Sequence, residues 1–343
     1  MAGSLEAHAR AAQRYVNGNA ALKQAVGAGA QDALTLTPLG EGEHNVNFLM
    51  TANGTDAPAF VLRVNVLPQP FHVCQVRYEH DALTAVAPSG RTPLPVYVDA
   101  SAAAPGEGAL VETFCPGRQL DFDALQPDDL ERCARIMADI HATPVAADCP
   151  LHRPTDPLRE LYAECLERFR VYRASAYEDA RISGWVDAFC ADAERAIEAA
   201  GEADGAPHIV NTETLASHFL LPEGADAGWF VDWERPILGE VAQDLAFFLA
   251  PTTTFWDSSF LFPAADVDAF LQQYWRAVDG RFSPGAFEAR FNAWMKVSVL
   301  RAVAWCCKAL IRYGGSGAHT TSKAAAKIPV YLSDSFLEPL LHP

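Results

Sequence analysis

Glu213 and Asp232 are the first candidates for chemistry, because each stands near the end of a short apolar run. The runs cover residues 208–210, 218–221 and 229–231, and turn-forming residues bound them, a pattern typical of buried strands. Residues at strand ends sit on a rigid base, which is a common position for catalytic carboxylates. The alternative is that both are solvated loop acids in an acidic chain.

Composition limits the classes of function that remain. The chain has 343 residues, long for one compact domain, so we expect two lobes or domains. A net charge of −17 argues against nucleic acid or an anionic membrane as a partner. The sequence has neither a run of 18 apolar residues nor a signal-peptide pattern in residues 1–27, and we expect a cytoplasmic protein. The eight cysteines contain no Cys-x-x-Cys pair and predict reduced, buried thiols.

The elements that position these acids change in type along the chain. The first part predicts a leading helix, a second helix at 73–87, and strands at 34–39, 46–51, 59–66, 93–98 and 109–114. The leading helix covers residues 4–26. After Pro116-Gly117, helices dominate, at 127–141, 157–172, 183–200, 241–249, 266–278, 284–312 and, in part, 322–341. This shift predicts one domain over 1–115 and a second over 116–343.

Two features of the first domain suggest phosphate binding. The Gly40-Glu41-Gly42 loop between two strands could bring backbone N–H groups close to a phosphate, although a plain hairpin turn is the alternative. Arg63 lies in an otherwise apolar strand, and a buried cation needs a partner such as Glu79 on the next helix. Alternatively, Arg63 faces solvent. The order of these parts, followed by two acids in a helical half, matches a kinase fold.

With its parts in this order, the chain resembles the aminoglycoside phosphotransferase and choline kinase-like families over roughly residues 34–250. The matching stretches are Gly40-Glu41-Gly42-Glu43-His44-Asn45, Val61-Leu62-Arg63, Tyr78-Glu79, Glu112-Thr113-Phe114-Cys115-Pro116-Gly117, Ile140-His141, Val231-Asp232-Trp233-Glu234 and Asp244-Leu245-Ala246. The resemblance implies an α+β, two-lobed protein kinase-like fold. An N-terminal antiparallel sheet with one main helix would precede a larger, mostly helical C-terminal lobe.

The resemblance also implies roles for individual residues. Those expected to bind the nucleotide, ATP, are Gly40, Gly42, Asn45, Arg63, Glu79, Glu112 and Phe114. Asp232 would be the ligand of Mg²⁺, and Asp244 would brace the catalytic loop.

The catalytic loop departs from the family pattern. Asn211-Thr212-Glu213 stands where the family has His-Gly-Asp, and His218 stands where it has the metal-binding Asn. Glu213 keeps the catalytic carboxylate but moves it by one methylene. We expect His218 either to bind the metal, where an imidazole suits Mn²⁺ better than Mg²⁺, or to contact a phosphate or the substrate.

These observations predict an ATP-dependent phosphotransferase acting on a hydroxyl of a small molecule. The alternatives are a pseudokinase that binds a nucleotide or small molecule without catalysis, and a relative in fold alone. Trp256, Trp275, Trp294 and Trp305 lie in the acidic helical half and would suit an amino-alcohol or aminoglycoside-like acceptor, unless they are core residues. The segment 252–256 could line the acceptor site, and the sequence leaves the oligomeric state open.

Overall fold

A computed structural model of the chain describes residues 2–42, 44–52, 59–67, 74–203, 205–225, 227–283, 285–314 and 323–341. Glu43, Val73, Pro284 and Ser322, each part of a predicted loop or helix, lie outside these residues. The chain forms two compact units, the first comprising 1–118, 145–151 and 220–236, the second 119–144, 152–219 and 237–343. The single boundary predicted after residue 115 stays a prediction.

The first unit is built on an antiparallel sheet of five strands, which are β1 (Leu34–Glu41), β2 (Asn45–Ala52), β3 (Phe60–Asn65), β4 (Pro95–Asp99) and β5 (Gly108–Thr113). Their order in the sheet is β1-β2-β3-β5-β4. Val46, Phe48 and Met50 of β2 are fully buried, and this period of two is expected of a strand with one face on a core. All five predicted strands are therefore present in the sheet.

The predicted leading helix is two helices, α1 (Ala2–Gly18) and α2 (Ala20–Ala25). Asn19 separates them because it adopts an extended conformation and its side chain accepts a hydrogen bond from the Leu22 N–H at 3.0 Å. This is N-capping, for which Asn is among the preferred residues. Ala12, Val16 and Leu22 pack into the core of the sheet, and α3 (Gln75–Val86) carries Glu79.

The second unit is mainly helical. Its helices are α4 (Asp129–His141), α5 (Pro157–Arg173), α6 (Ala180–Ala200), α7 (Val241–Leu249), α8 (Pro251–Asp257), α9 (Ala264–Val278), α10 (Phe287–Gly314), α11 (Lys323–Tyr331) and α12 (Asp334–Leu341). The long α10 packs against α5, α6 and α7, and Trp294, Val297 and Leu300 on it are fully buried. The sequence did not predict α8, which has Pro251 at its first position. Within the described ranges, no helix has the length and hydrophobicity of a membrane span.

Five short strands follow the main sheet, namely β6 (Arg118–Gln119), β7 (His208–Val210), β8 (Phe219–Leu221), β9 (Trp229–Phe230) and β10 (Ile237–Gly239). One small sheet has the order β6-β8-β9, and the other pairs β7 with β10. The three apolar runs around the candidate acids are thus strands, but β7 does not share a sheet with β8 and β9. Glu213 follows β7, and Asp232 follows β9.

Candidate functional site

Arg63 is the centre of a buried ion-pair cluster in the first unit. It is 7% exposed, so the solvent-facing alternative is wrong. Its Nε lies 3.1 Å from Glu79 Oε2, and its Nη2 lies 3.0 Å from Asp232 Oδ1 and 3.3 Å from Glu234 Oε1. The pairing with Glu79 that the sequence suggested is present, and β3 and α3 hold its two members. A cation buried to this extent is stable only when it is paired. Arg63 therefore depends on its acidic partners.

The Arg63 cluster carries surplus negative charge. Glu79, Glu112, Asp232 and Glu234 all act electrostatically on the single guanidinium. Burial raises the pKa of Glu79 above its usual value despite the attraction of Arg63. Burial likewise raises the pKa of Glu112 to about 7, and the carboxylates of Glu79 and Asp232 add to this effect. Burial among several carboxyl groups therefore favours the protonated, neutral forms of Glu79 and Glu112.

Two polar side chains tie the segment around Asp232 to the sheet and to α3. Asn45 is 3% exposed and donates from Nδ2 to Glu234 Oε1, while its Oδ1 accepts from Asn65 at 3.0 Å. Gln75 donates from Nε2 to the Glu234 carbonyl oxygen at 2.8 Å. Sequence reasoning assigned neither Gln75 nor Glu234 a role, although Glu234 belongs to the Asp-Trp-Glu match. Asn45, expected at the nucleotide, holds Glu234 in place.

The predicted glycine loop is partly strand, because Gly40 lies in β1 and Gly42 in the turn that follows, and both have open space above them. A Cβ added at Gly40 would meet nothing within 4 Å, and at Gly42 the nearest atom would be the Asn45 carbonyl oxygen at 3.7 Å. Gly42 donates its N–H to that oxygen at 2.9 Å, which closes the turn. The geometry therefore leaves room for close approach of a ligand to the backbone, and the nucleotide role of Gly40 and Gly42 stays a prediction.

The end of β5 and the residue after it, which the family resemblance places at the nucleotide, are already partly hydrogen-bonded within the first unit. Phe114 donates its N–H to the Ala59 carbonyl oxygen at 2.9 Å, and Thr113 donates to Leu94 at 3.0 Å. The Glu112 carboxyl group interacts electrostatically with Arg63. A base contact through the Phe114 N–H would have to share or replace the bond to Ala59. The nucleotide-binding roles of Glu112 and Phe114 stay predictions.

Asp244 braces the loop that carries Glu213 in the second unit. Its carboxylate accepts from the Asn211 N–H and from the Thr212 N–H, both at 2.7 Å. His141 Nε2 lies 3.2 Å from the same carboxylate, and His141 Nδ1 lies 2.8 Å from the Tyr274 hydroxyl. These contacts are the bracing that the family resemblance implied for Asp244.

Backbone strain marks both candidate acidic segments. Thr212, Asp232 and Asp279 are the described residues other than glycine with positive φ, at 74°, 70° and 48°. A left-handed conformation costs an L-residue about 1–2 kcal/mol, and for a β-branched Thr it is a genuine outlier. Such strain persists where surrounding contacts impose it, and it is concentrated at functional sites. Thr212 occupies the position of the Gly in the family pattern. Its backbone therefore has a left-handed conformation although a threonine stands in place of the glycine.

Arg301 on α10 contacts the Glu213 loop, and the sequence did not reveal this contact. Its Nη1 donates to the Thr212 carbonyl oxygen at 2.8 Å, and its Nη2 donates to Glu213 Oε1. The Glu213 side chain remains 41% exposed. Arg301 therefore fixes the orientation of Glu213 while leaving its carboxylate accessible. Arg301 lies inside a long helical pattern and 88 residues from Glu213, so no local signal predicts the contact.

His218 and Asp232, the two predicted metal ligands, belong to different units. His218 ends a 3₁₀ turn, Ala216–His218, and donates its N–H to the Leu215 carbonyl oxygen at 3.1 Å. Clusters of three or more His, Cys, Asp or Glu side chains suited to a metal are absent from the part of the chain that is described. The carboxylates of Asp232 and Glu234 are oxygen donors that suit Mg²⁺, whereas the His218 imidazole does not.

A cavity of about 270 Å³ opens beside Glu213 in the second unit. Its lining residues are Glu213, Leu215, Phe247, Thr252, Thr253, Trp256, Ser298, Arg301, Ala302 and Trp305. Trp294, by contrast, is fully buried in the core, and Trp275 packs edge-on against Phe287. The segment expected to line an acceptor site thus contributes three residues to this cavity.

Comparison with known proteins gives a family match over most of the chain. The model of the phosphotransferase enzyme family matches residues 35–288. A search of curated protein sequences returns no significant match.

Solved structures that resemble the chain are small-molecule kinases by their descriptions. A choline/ethanolamine kinase family protein from Mesorhizobium loti is 17% identical, with a TM-score of 0.59 over 90% of this chain and 93% of that one. Ethanolamine kinase from Plasmodium vivax is 13% identical, with a TM-score of 0.61 over 89% and 84%. A thermostable mutant aminoglycoside phosphotransferase, in complex with ADP and hygromycin B, is 18% identical, with a TM-score of 0.57 over 94% and 96%. At these identities the likeness concerns the fold, and the predicted kinase-like α+β fold is confirmed.

Proposed function

The chain belongs to the phosphotransferase enzyme family, and from that premise we propose that it transfers the γ-phosphoryl group of ATP to a hydroxyl of a small molecule. The observation that carries the proposal is the ion pairing of Arg63 with both Glu79 and Asp232. Phosphoryl transfer depends on positioning and on neutralising phosphate charge. A cation fixed next to a partly exposed carboxylate supplies both requirements.

The first unit, in this proposal, binds the nucleotide phosphates. Glu79 holds Arg63 in a fixed direction, so that its guanidinium meets phosphate oxygens. Asp232 and Glu234 would hold Mg²⁺, because their oxygens and the surplus negative charge suit a hard divalent cation. When bound, Mg²⁺ neutralises charge on the transferred phosphoryl group. Gly40 and Gly42 would lie over the phosphates.

Glu213 acts as the general base. Its exposed carboxylate accepts the proton of the acceptor hydroxyl as that oxygen bonds to the γ-phosphorus, and ADP leaves. Arg301 and Asp244 keep the carboxylate and its loop in position. His218 is assigned to a phosphate or substrate contact, since Mg²⁺ prefers oxygen ligands. We assign the reaction to the cytoplasm because all eight cysteines are free thiols, as expected in a reducing compartment.

The test is ATP-dependent turnover, measured as ADP release with a panel of small alcohols. Glu213→Gln should lower kcat by about 10²-fold or more, while the affinity for ATP stays unchanged. Glu202→Gln, which changes an exposed acid of the same unit, should leave both values as in the wild type. Equal kcat for Glu213→Gln and the wild type would show that Glu213 is not the general base. Such a result would favour the pseudokinase alternative.

A further inference from the structure

The cavity beside Glu213 has balanced charge. Among its described lining residues, Glu213 and Arg301 are the charged ones, and they form an ion pair with each other. Resting on the proposed function, we propose that the phosphoryl acceptor is a small, uncharged compound with several hydroxyl groups. This differs from the cationic acceptor expected from the count of acids in the sequence.

Among the described lining residues, the one acid that could attract a cationic acceptor is Glu213, and it is already paired with Arg301. The Glu213 carboxylate already receives a hydrogen bond from Arg301 Nη2. An ammonium placed next to Glu213 would also lie close to that guanidinium, and like charges in a confined site repel strongly. The guanidinium carbon of Arg301 lies 4.9 Å from the centroid of the Phe247 ring. One aromatic surface that could attract an ammonium is therefore taken by a cation of the protein.

An anionic acceptor is disfavoured by Glu213, the acidic member of the ion pair with Arg301. A carboxylate or phosphate that reached Arg301 would lie beside Glu213, whose own negative charge would repel it. Arg301 is also fixed by its bond to the Thr212 carbonyl oxygen at 2.8 Å. Releasing it to a ligand would remove a support of the strained loop. An uncharged acceptor avoids both penalties.

The rest of the lining suits a compound with hydroxyl groups on an apolar frame. Thr252, Thr253 and Ser298 supply hydroxyls, and Trp256 and Trp305 supply large flat surfaces. Thr252 is 2% exposed, and its hydroxyl oxygen has no hydrogen-bond partner within the described chain. Buried polar groups normally have a partner, and a ligand hydroxyl would provide one.

The size of the cavity also suits a small acceptor. Its volume of about 270 Å³ lies just below the range of about 300–1,000 Å³ that is usual for drug-sized ligands. The space suits a single sugar ring or a short polyol. A compound of several amino-sugar rings would extend beyond it.

The experiment compares uncharged with cationic acceptors on the wild-type protein. ADP release is measured with glucose, myo-inositol and glycerol on one side, and with ethanolamine, choline and hygromycin B on the other. Turnover with an uncharged compound at higher kcat/KM than with any amine is expected. Preferential turnover of an amine would overturn the inference while leaving the proposed function intact. Absence of ATP turnover with every compound would count against the proposed function instead.

Choline binding tests the inference even if no acceptor is turned over. Arg301→Gln removes the cation beside Glu213, so this variant should bind choline on the order of tenfold more tightly than the wild type, as measured by calorimetry. Arg301→Lys keeps the cation and should bind choline as weakly as the wild type. If the wild type binds choline more tightly than the uncharged compounds, the inference is wrong. That comparison needs no variant, so it holds whether or not Arg301→Gln folds.

Discussion

Replacing Glu112 with glutamine tests the surplus charge around Arg63. Glu112 lies on β5 and is 7% exposed. Burial raises its pKa to about 7, against 4.5 for an unperturbed glutamate, although Arg63 pulls it down. Because the folded pKa is raised, the native state binds this proton more tightly than the unfolded chain does. The stabilisation is complete below about pH 4.5 and is lost as pH rises through about 7.

The size of the effect follows from the two pKa values. A difference of about 2.5 corresponds to about 3 kcal/mol at 25 °C, because one pKa unit is worth about 1.4 kcal/mol. Glutamine cannot ionise and escapes this loss. The free energy of unfolding of Glu112→Gln, relative to the wild type, should therefore rise by about 3 kcal/mol between about pH 4.5 and pH 8. Above that range the difference should be constant.

Urea unfolding at several pH values measures this difference. Any pH-independent effect of the glutamine shifts the whole curve and cancels when the two proteins are compared across pH. Glu107→Gln, an exposed acid of the same unit, controls for the loss of one negative charge. Parallel stability curves for Glu112→Gln and the wild type would refute the reasoning, because Glu112 would then ionise as easily in the folded protein as in the unfolded chain.

Three further predictions concern other buried groups. Arg63→Met should destabilise the protein by about 3–5 kcal/mol in urea unfolding, because the buried Glu79 carboxyl group loses its cation. Adding Glu79→Gln should reduce this loss, and an equal loss in the double variant would contradict the reasoning. Asp244→Asn removes a charged acceptor from the Thr212 N–H and should lower stability by about 1–3 kcal/mol and reduce kcat; unchanged melting and turnover would argue against its bracing role. Burial raises the pKa of the Cys115 thiol to about 12, so peptide mass spectrometry should find it unmodified after iodoacetamide treatment of the folded protein at neutral pH, whereas rapid alkylation would contradict its burial.

The sequence was informative where local pattern and chemistry agree. The apolar pattern predicted strands such as β2, and an arginine in the apolar β3 required a buried partner, which Glu79 provides. The family resemblance led to Asp244 because Asp244-Leu245-Ala246 matches the family pattern, as the Asp-Trp-Glu motif before it does. Each of these inferences depends on neighbours within one element or one motif.

The features that the sequence did not reveal depend on contacts between distant residues. Arg301 reaches Glu213 from the middle of α10, and a helical apolar pattern does not report which polar residue faces a distant loop. The engagement of the Phe114 N–H by Ala59 follows from the register between β3 and β5, which composition does not determine. The break at Asn19 is a local exception, because the Asn17-Gly18-Asn19 stretch consists of poor helix formers and the Asn19 side chain caps the second helix.

Nucleotide binding that depends on Asp232 is the most direct test of the central claim. Thermal melting of the wild type and of Asp232→Asn is compared with ADP alone and with ADP plus Mg²⁺. At about one hundred times its dissociation constant, a ligand of the folded state adds about 2.7 kcal/mol of stability. The proposed function predicts a Mg²⁺-dependent rise in Tm for the wild type that is lost in Asp232→Asn. No rise with either addition, or an equal rise in both proteins, would contradict the assignment of Asp232 to a metal–nucleotide site.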